Sequence, residues 1–178
     1  MWRTTSKLAF LLLVPVMVLM AQMPNPKPMQ EIKALDVWVG DWTFTGTIKD
    51  SPNDNEHPLT WRLHNHWILS GFALQDDQEW IESGITSKYL EIMYFDPAKK
   101  SLMSAGYGDD GSSWISTLTV NGDTWFERGV STLPDGKTAT FSGVWTFSSD
   151  HLSMTATQEQ EQYGSKWTSF RIKGTKAP

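Results

Sequence analysis

His64 and His66 are the residues whose type and spacing first suggest chemistry in this sequence. On a β-strand, residues two apart share one face, and a pair of neutral imidazoles can form part of a zinc site. A catalytic zinc needs a third protein ligand, which Glu79 or His57 would supply. Because apolar residues alternate with the two histidines, we interpret the pair as facing solvent and predict that it binds no metal.

The segment from Asp76 to Glu82 contains four carboxyl groups, on Asp76, Asp77, Glu79 and Glu82. General acid–base catalysis requires carboxyls that lie in different environments. A barrel hydrolase or isomerase that uses this acidic hairpin, or the histidine pair, is therefore an alternative that the sequence leaves open. The simpler interpretation is a solvated hairpin tip. The sequence thus leans against an enzyme, and we predict no catalytic residues.

Aromatic side chains are the most prominent feature, since the chain contains 10 tryptophans and 8 phenylalanines. They alternate with polar residues, which indicates strands with one apolar face. If these faces point inward, Trp42, Phe44, Phe72 and Phe141 help to surround a lumen that also contains amide side chains. A mostly apolar cavity with a few polar groups is typical of a small-molecule site. The residues that we predict to bind a small apolar or amphipathic ligand are Trp61, Asn65, Trp67, Trp145, Phe147, Gln158 and Gln160.

The same rings also fit a protein without a cavity. An eight-stranded barrel is nearly filled by its own side chains, whereas ten strands enclose more volume. A structural or partner-binding envelope protein with a filled core is therefore the second alternative to ligand binding.

The elements that must position these residues are mainly strands. From Gly40 onward the sequence alternates with period two in about ten runs that turn-forming segments separate. Consecutive hairpins predict an all-β antiparallel meander, and closing it into a barrel removes exposed edges. A two-sheet sandwich is the alternative. One short helix is predicted over 29–37, because Met29, Ile32 and Leu35 form an apolar stripe.

The N-terminal segment predicts export. Residues 1–22 begin with the basic Arg3 and Lys7 and continue with an apolar run, which is the pattern of a secretory signal peptide. The run is shorter than the roughly 20 residues of a membrane span, although an uncleaved anchor is an alternative. Residues 23–28 contain three prolines and predict an extended tether. Residues 29–178 then form a single domain, which we expect in the periplasm or outside the cell.

Composition excludes several other classes of protein. The chain has no cysteine, which excludes disulfide scaffolds and thiolate-bound metals. It has 15 basic and 20 acidic residues, so its net charge is −5. An acidic surface makes nucleic acid an unsuitable partner, and we predict none.

Four short motifs together resemble one family of exported bacterial proteins. Gly40-Asp41-Trp42, which follows the predicted helix, is similar to the G-x-W signature of lipocalins and other calycins. With the secretory leader, nearly the whole chain after it resembles domain-of-unknown-function family 1579. The other motifs that carry the resemblance are His64-Asn65-x-Trp67, Tyr94-x-Asp96-Pro97 and Gly122-Asp123-Thr124-Trp125.

This resemblance implies a calycin-like barrel in a bacterial envelope and carries over no catalytic residues. In calycins, a basic residue of the last strand packs across the signature tryptophan. Here the resemblance implies that Arg171 packs on Trp42, with Gly40 completing the signature.

A cofactor is not predicted. Nitrobindins, a ten-stranded calycin-like group, hold haem through a histidine late in the barrel. The late histidine of this sequence is His151, which follows a Ser-Ser-Asp turn. A turn is an unsuitable position for an axial ligand that must point into a lumen.

Overall fold

A computed structural model of the chain describes residues 27–178. The predicted secretory segment and residues 23–26 of the proline-rich tether lie outside these residues. Within 27–178, no helix is both long and apolar enough to cross a membrane. The ten strands are β1 Gly40–Ile48, β2 His57–Ile68, β3 Ala73–Glu82, β4 Ile85–Asp96, β5 Ser101–Gly108, β6 Ser113–Asn121, β7 Thr124–Thr132, β8 Thr138–Phe147, β9 Ser153–Gln162 and β10 Ser165–Lys176.

These strands form a closed antiparallel barrel in which each strand pairs with its neighbours in the sequence. The barrel closes because β1 pairs with β10 as well as with β2. The predicted all-β meander of ten strands is therefore confirmed, and the two-sheet sandwich is excluded. Closure leaves no backbone edge of the sheet unpaired.

Alternation along the strands sets the inner and outer faces. In β8, for example, Phe141, Trp145 and Phe147 are buried, whereas Val144 and Thr146 are exposed. Period-two alternation places successive side chains on opposite faces of a sheet. The closed sheet therefore turns one side of every strand towards a common lumen.

A short helix over Gln30–Trp38 precedes the barrel, as predicted, but it is a 3-10 helix. Its buried residues are Ile32, Leu35 and Trp38, whereas Met29 is 45% exposed. A 3-10 helix has three residues per turn, so residues three apart lie directly above one another. This spacing turns all three apolar side chains towards the barrel.

The helix covers the end of the barrel at which β1 begins, which we call the floor. The ring of Trp38 contacts the rings of Trp125 and Phe147 edge-on, with centroids 5.8 and 5.0 Å away. The indole Nε1 of Trp42 donates a hydrogen bond of 2.9 Å to the Trp38 carbonyl oxygen. The loops β1–β2, β3–β4, β5–β6, β7–β8 and β9–β10 lie at the opposite end, which we call the mouth.

The cation over Trp42 is not the predicted one. Trp42 is buried, and the Lys176 Nζ lies 5.6 Å from its ring centroid. The prediction that Arg171 packs there was wrong because the β1–β10 register places Arg171 opposite Thr47. The Arg171 guanidinium donates a hydrogen bond of 2.6 Å to Glu56 on the outer surface.

Phe72 also differs from its predicted position in the lumen. It follows a tight turn over Leu69–Gly71 and is 37% exposed. In this turn Leu69 and Ser70 have φ values of 50° and 57°, so the chain leaves the extended conformation there. The strand therefore begins at Ala73, one residue later than the alternation suggested.

Candidate functional site

The barrel encloses a cavity of about 280 Å³ that extends from the floor to the mouth. Trp38 lines it at the floor, and Asp110 and Pro134 line it at the mouth. The inward rings therefore leave space inside the barrel. The aromatic residues along its walls are Trp61, Trp80, Tyr89, Trp114, Phe141, Trp145 and Phe170.

Three carboxyl groups project into this aromatic cavity from different strands. They belong to Asp76 of β3, Glu91 of β4 and Glu127 of β7. Asp76 and Glu127 are buried, and Asp76 lies directly opposite Glu91 in the sheet. The interpretation of the acidic segment as a solvated tip was wrong for Asp76, because its inward position in β3 lies well before the turn at Ser83.

The side chain of Gln78 holds two of these carboxyls together. Its amide Nε2 donates hydrogen bonds of 2.9 Å to Asp76 Oδ2 and 2.8 Å to Glu91 Oε2. The Trp80 indole donates to the Gln78 Oε1 at 3.3 Å, which fixes the orientation of the amide. The Ser104 hydroxyl also donates to Glu91 Oε1. Asp76 and Glu91 are therefore held in defined positions.

Glu127 has its own set of donors on neighbouring strands. The Ser116 hydroxyl donates to Glu127 Oε1 at 2.7 Å, and the Trp145 indole donates to Oε2 at 3.2 Å. Trp114 supports Glu91 instead, since its indole donates at 3.3 Å to the Oγ of Ser104, the serine that donates to Glu91. Both oxygens of Glu127 are thus hydrogen-bonded, as buried polar groups normally are.

Burial raises the pKa of all three carboxyls. It raises the pKa of Asp76 well above its ordinary value, and the neighbouring Glu91 adds to this effect. Burial, together with the charge of Glu127, raises the pKa of Glu91 to about 7. The pKa of Glu127 is also raised by burial. Desolvation disfavours the charged form, so burial favours the protonated form of each of these carboxyls.

Several buried polar atoms at the cavity lack a hydrogen-bond partner within residues 27–178. They are the second oxygen of Asp76, Oδ1, and the indole Nε1 atoms of Trp38 and Trp61. All three side chains line the cavity. A buried polar group without a partner costs about 1–3 kcal/mol, so a water or another molecule that pairs with these atoms would stabilise the folded protein.

The mouth of the cavity is also acidic. Asp50, Glu82 and Asp110 line it there. His57 lies beside them, with its Nε2 3.0 Å from Glu82 and 3.8 Å from Asp50. Among the described residues, Asp50, His57 and Glu82 form a group whose potential metal-ligating atoms lie within 4.8 Å of one another. Hydrogen bonding to Glu82 raises the pKa of His57.

The predicted ligand-binding residues divide into two groups. Trp61, Trp145, Gln158 and Gln160 line the cavity, and Gln158 also donates to the Ser169 hydroxyl at 3.2 Å. Asn65, Trp67 and Phe147 do not line it.

Height along the barrel explains this difference. Asn65 lies beside the floor, opposite Gly40, and Phe147 packs against Trp38 of the helix. The Trp67 indole donates to Asp36 of the helix at 3.1 Å and does not line the cavity. Residues near the ends of strands thus contact the helix or the loops instead of the cavity.

Sequence reasoning missed Glu91 and Glu127, although the signal was available for Glu127. It lies two residues after the buried Trp125 and therefore shares its inward face. Acidic residues are usually exposed to solvent, which argued against an inward position. The alternation rule, applied without regard to polarity, would have placed Glu127 in the lumen.

The histidines outside the mouth lie on the outer surface. His64 pairs with Asp41, and His66 lies beside it with ring centroids 5.2 Å apart. Neither suggested third ligand joins them, because Glu79 pairs with Arg62 and His57 pairs with Glu82 at the mouth. His151 lies in a turn, where its Nε2 is 3.0 Å from Asp123.

Two solved structures are similar to this chain. The crystal structure of Rv2717c from M. tuberculosis matches with a TM-score of 0.64 and 12% sequence identity, over 85% of this chain and 100% of that chain. A de novo designed fluorescence-activating β-barrel matches with a TM-score of 0.44 and 13% identity, over 82% and 98% of the two chains. No protein-family model and no curated protein matches the sequence. At such low identity, the likeness to Rv2717c shows the shared fold alone.

Proposed function

We propose that this protein binds a small amphipathic molecule in the lumen of its barrel and is not an enzyme. The observation that carries the proposal is a cavity of about 280 Å³ that combines aromatic walls with buried polar atoms lacking partners within residues 27–178. Apolar walls can bury the body of a ligand, while a few polar groups fix its orientation. The volume lies near the small end of the range for ligand pockets, about 300–1,000 Å³, and therefore favours a compact molecule.

Native mass spectrometry of the full chain, purified without denaturation, tests this proposal directly. We expect the measured mass to exceed that of the bare chain because a compound is bound. Organic solvent should remove this compound and restore the mass of the bare chain. Five tryptophans line the cavity, so a panel of small amphipathic compounds should include some that change tryptophan fluorescence. A bare chain together with a panel that leaves the fluorescence unchanged would contradict the proposal.

A matched pair of variants locates the binding in the lumen. Trp61→Phe removes an indole that lines the cavity and should weaken binding severalfold, because it removes a donor and part of the wall. Trp67→Phe removes an indole outside the cavity and should leave affinity unchanged. Equal effects of the two substitutions would place the binding elsewhere.

The carboxyls favour one second candidate, an acid–base hydrolase or isomerase. A pKa near 7 allows Glu91 to accept and donate a proton at neutral pH, with Asp76 beside it. In that case Glu91→Gln would abolish turnover of a bound compound while binding persists. Under the binding proposal, the wild-type protein returns every bound compound chemically unchanged.

We also propose that the protein is exported and belongs to domain-of-unknown-function family 1579. The basic and apolar pattern of residues 1–22 supports export, and the G-x-W motif at Gly40 and Trp42 supports the family. The mass of the protein recovered from the periplasm or the medium tests export. We expect a chain that begins near residue 23.

A further inference from the structure

We propose that the ligand is an organic cation, a protonated amine on a compact apolar body, and that Asp76 binds its ammonium group. The inference rests on the proposed function of the lumen and adds the chemical class of the ligand. It depends on the charges that line the cavity, on one unpartnered carboxylate oxygen and on the arrangement of the aromatic rings.

The charged side chains that line the cavity are all acidic, and the nearby His57 lies outside the lining, against Glu82 and Asp50 at the mouth. Among residues 27–178, six carboxyl side chains line the cavity and no lysine, arginine or histidine does. Buried carboxylates are normally paired with a cation or neutralised by a proton. Here the protein supplies no such cation within the cavity lining. A cationic ligand would supply the missing opposite charge, whereas an anionic ligand would meet carboxyls along the whole length of the cavity. The six residues whose carboxyl groups line the cavity are Asp50, Asp76, Glu82, Glu91, Asp110 and Glu127.

Asp76 offers a specific attachment point within this acidic lining. Its side chain is 2% exposed, and its Oδ1 has no hydrogen-bond partner among the described residues. The nearby amide of Gln78 cannot serve it, because an amide nitrogen has two hydrogens and both are donated, to Asp76 Oδ2 and to Glu91. An ammonium group carries three donors and no acceptor, so it would pair with the ionised form of Asp76, and its binding would displace the proton that burial favours on that carboxyl.

The aromatic rings are placed to receive the rest of such a ligand. Along the inner face of β3, Trp80 lies between Asp76 and the mouth, and Trp61 lies opposite it on β2. The centroids of these two rings are 4.8 Å apart, and Phe170 lies 6.0 Å from Trp61. A ligand with its ammonium at Asp76 would place its apolar body against these rings. Aromatic faces also attract cations directly.

Three probes with the same body and different head groups test the charge. They are 3-phenylpropylamine, 3-phenylpropanol and 3-phenylpropionate, each titrated into the full chain at pH 7 and followed by calorimetry and tryptophan fluorescence. We expect the amine to bind at least about tenfold more tightly than the alcohol, as a hydrogen bond between charged groups gives. We expect the carboxylate to bind most weakly. An alcohol that binds as tightly as the amine would overturn the inference.

A matched pair of substitutions on β3 tests the role of Asp76. Asp76→Asn keeps the shape but removes the charge, and should reduce the affinity for the amine to that for the alcohol. Asp77→Asn is the control, because Asp77 is the next residue and is exposed on the outer face. A preference for the amine that survives Asp76→Asn would overturn the assignment. The ranking of the three probes on the wild-type protein decides the ligand class even if Asp76→Asn fails to fold.

The outcomes separate this inference from the proposed function. If none of the probes binds but native mass spectrometry finds a bound compound, the organic cation is wrong and ligand binding stands. If none binds and the chain is bare, both fail.

Discussion

Asp76, Glu91 and Glu127 occupy inward strand positions where apolar side chains would be less costly to bury. Their hydrogen bonds offset part of that cost, because serine, glutamine and tryptophan donors serve Glu91, Glu127 and one oxygen of Asp76. The raised pKa values reflect the remaining cost of their ionised forms. Stability and the charge in the lumen are therefore linked through pH.

We expect the folded protein to lose stability as the pH rises from about 4.5 to about 7. The folded state raises the pKa of Glu91 from 4.5 to about 7, so it binds more protons than the unfolded state in this interval. The free energy of unfolding falls with rising pH wherever the folded state binds more protons. Asp76 and Glu127 act in the same direction.

Urea unfolding at a series of pH values measures this effect. Glu91→Gln cannot ionise, so the variant should lose less stability than the wild type between pH 5 and pH 8. Asp77→Asn, on the outer face of β3, should retain the slope of the wild type. Parallel pH profiles for the wild type and Glu91→Gln would show that Glu91 titrates normally.

Trp42→Ala should cost roughly 3–5 kcal/mol in the free energy of unfolding, as deletion of a large buried ring does. The ring packs against Phe147 and lies under Lys176, and its indole binds the helix. Arg171→Ala should leave the urea midpoint nearly unchanged, because Arg171 lies on the outer surface. A large loss with Arg171→Ala would show that the guanidinium does support the floor.

At the scale of elements, glycines decide where large rings fit. Gly106 of β5 lies opposite Trp114 of β6, and a Cβ added to it would lie 2.0 Å from the Trp114 ring. At Gly143 of β8, also an inward position, the nearest atom would be 3.1 Å away. The absent side chain at Gly106 therefore lets the Trp114 indole lie against the sheet and reach Ser104.

Gly106→Ala should destabilise the protein by about 1–3 kcal/mol, the usual effect of overpacking, and should displace Trp114. Since Trp114 lines the cavity, the variant should also show altered tryptophan emission and weaker binding in the lumen. Gly143→Ala is the milder comparison and should change stability less. Equal losses for the two substitutions would contradict the argument from ring contact.

The alternation of apolar and polar residues along the strands predicted some of the residues that line the cavity and not others. Alternation gives the face of a residue, so it placed Trp61, Trp145, Gln158 and Gln160 towards the lumen. It does not give height along the barrel, so it also included Trp67 and Phe147, which contact other parts of the chain. The buried carboxyls were missed because acidic residues are usually solvated, and their burial depends on donors from distant strands.

At the scale of the whole molecule, the sequence predicted the meander and its closure. The position of Arg171 was not predictable in the same way, since it depends on the register between the first and last strands. That register comes from the packing of the whole ring of strands. It places Lys176 opposite Trp42.

Because the sheet is closed, we expect the backbone amide hydrogens of all ten strands to be protected from exchange with solvent to a similar degree. In an open sheet the edge strands exchange their amide hydrogens fastest, because local opening there breaks the fewest contacts. Here β1 and β10 are paired on both sides, and we expect their paired amides to exchange as slowly as those of β5 and β6. Hydrogen-exchange mass spectrometry measures this. Fast exchange confined to β1 and β10 would show that the seam between them opens.

The acidic mouth also has a kinetic consequence. The closed sheet has no unpaired edge at which strands could separate, and the helix covers the floor. We therefore expect solutes to reach the lumen through the mouth, past Asp50, Glu82 and Asp110. An entrance lined by carboxyl groups raises the local concentration of cationic solutes and speeds their arrival. Association of cations should then slow as the ionic strength rises, while uncharged molecules of the same shape arrive at a rate that salt leaves unchanged.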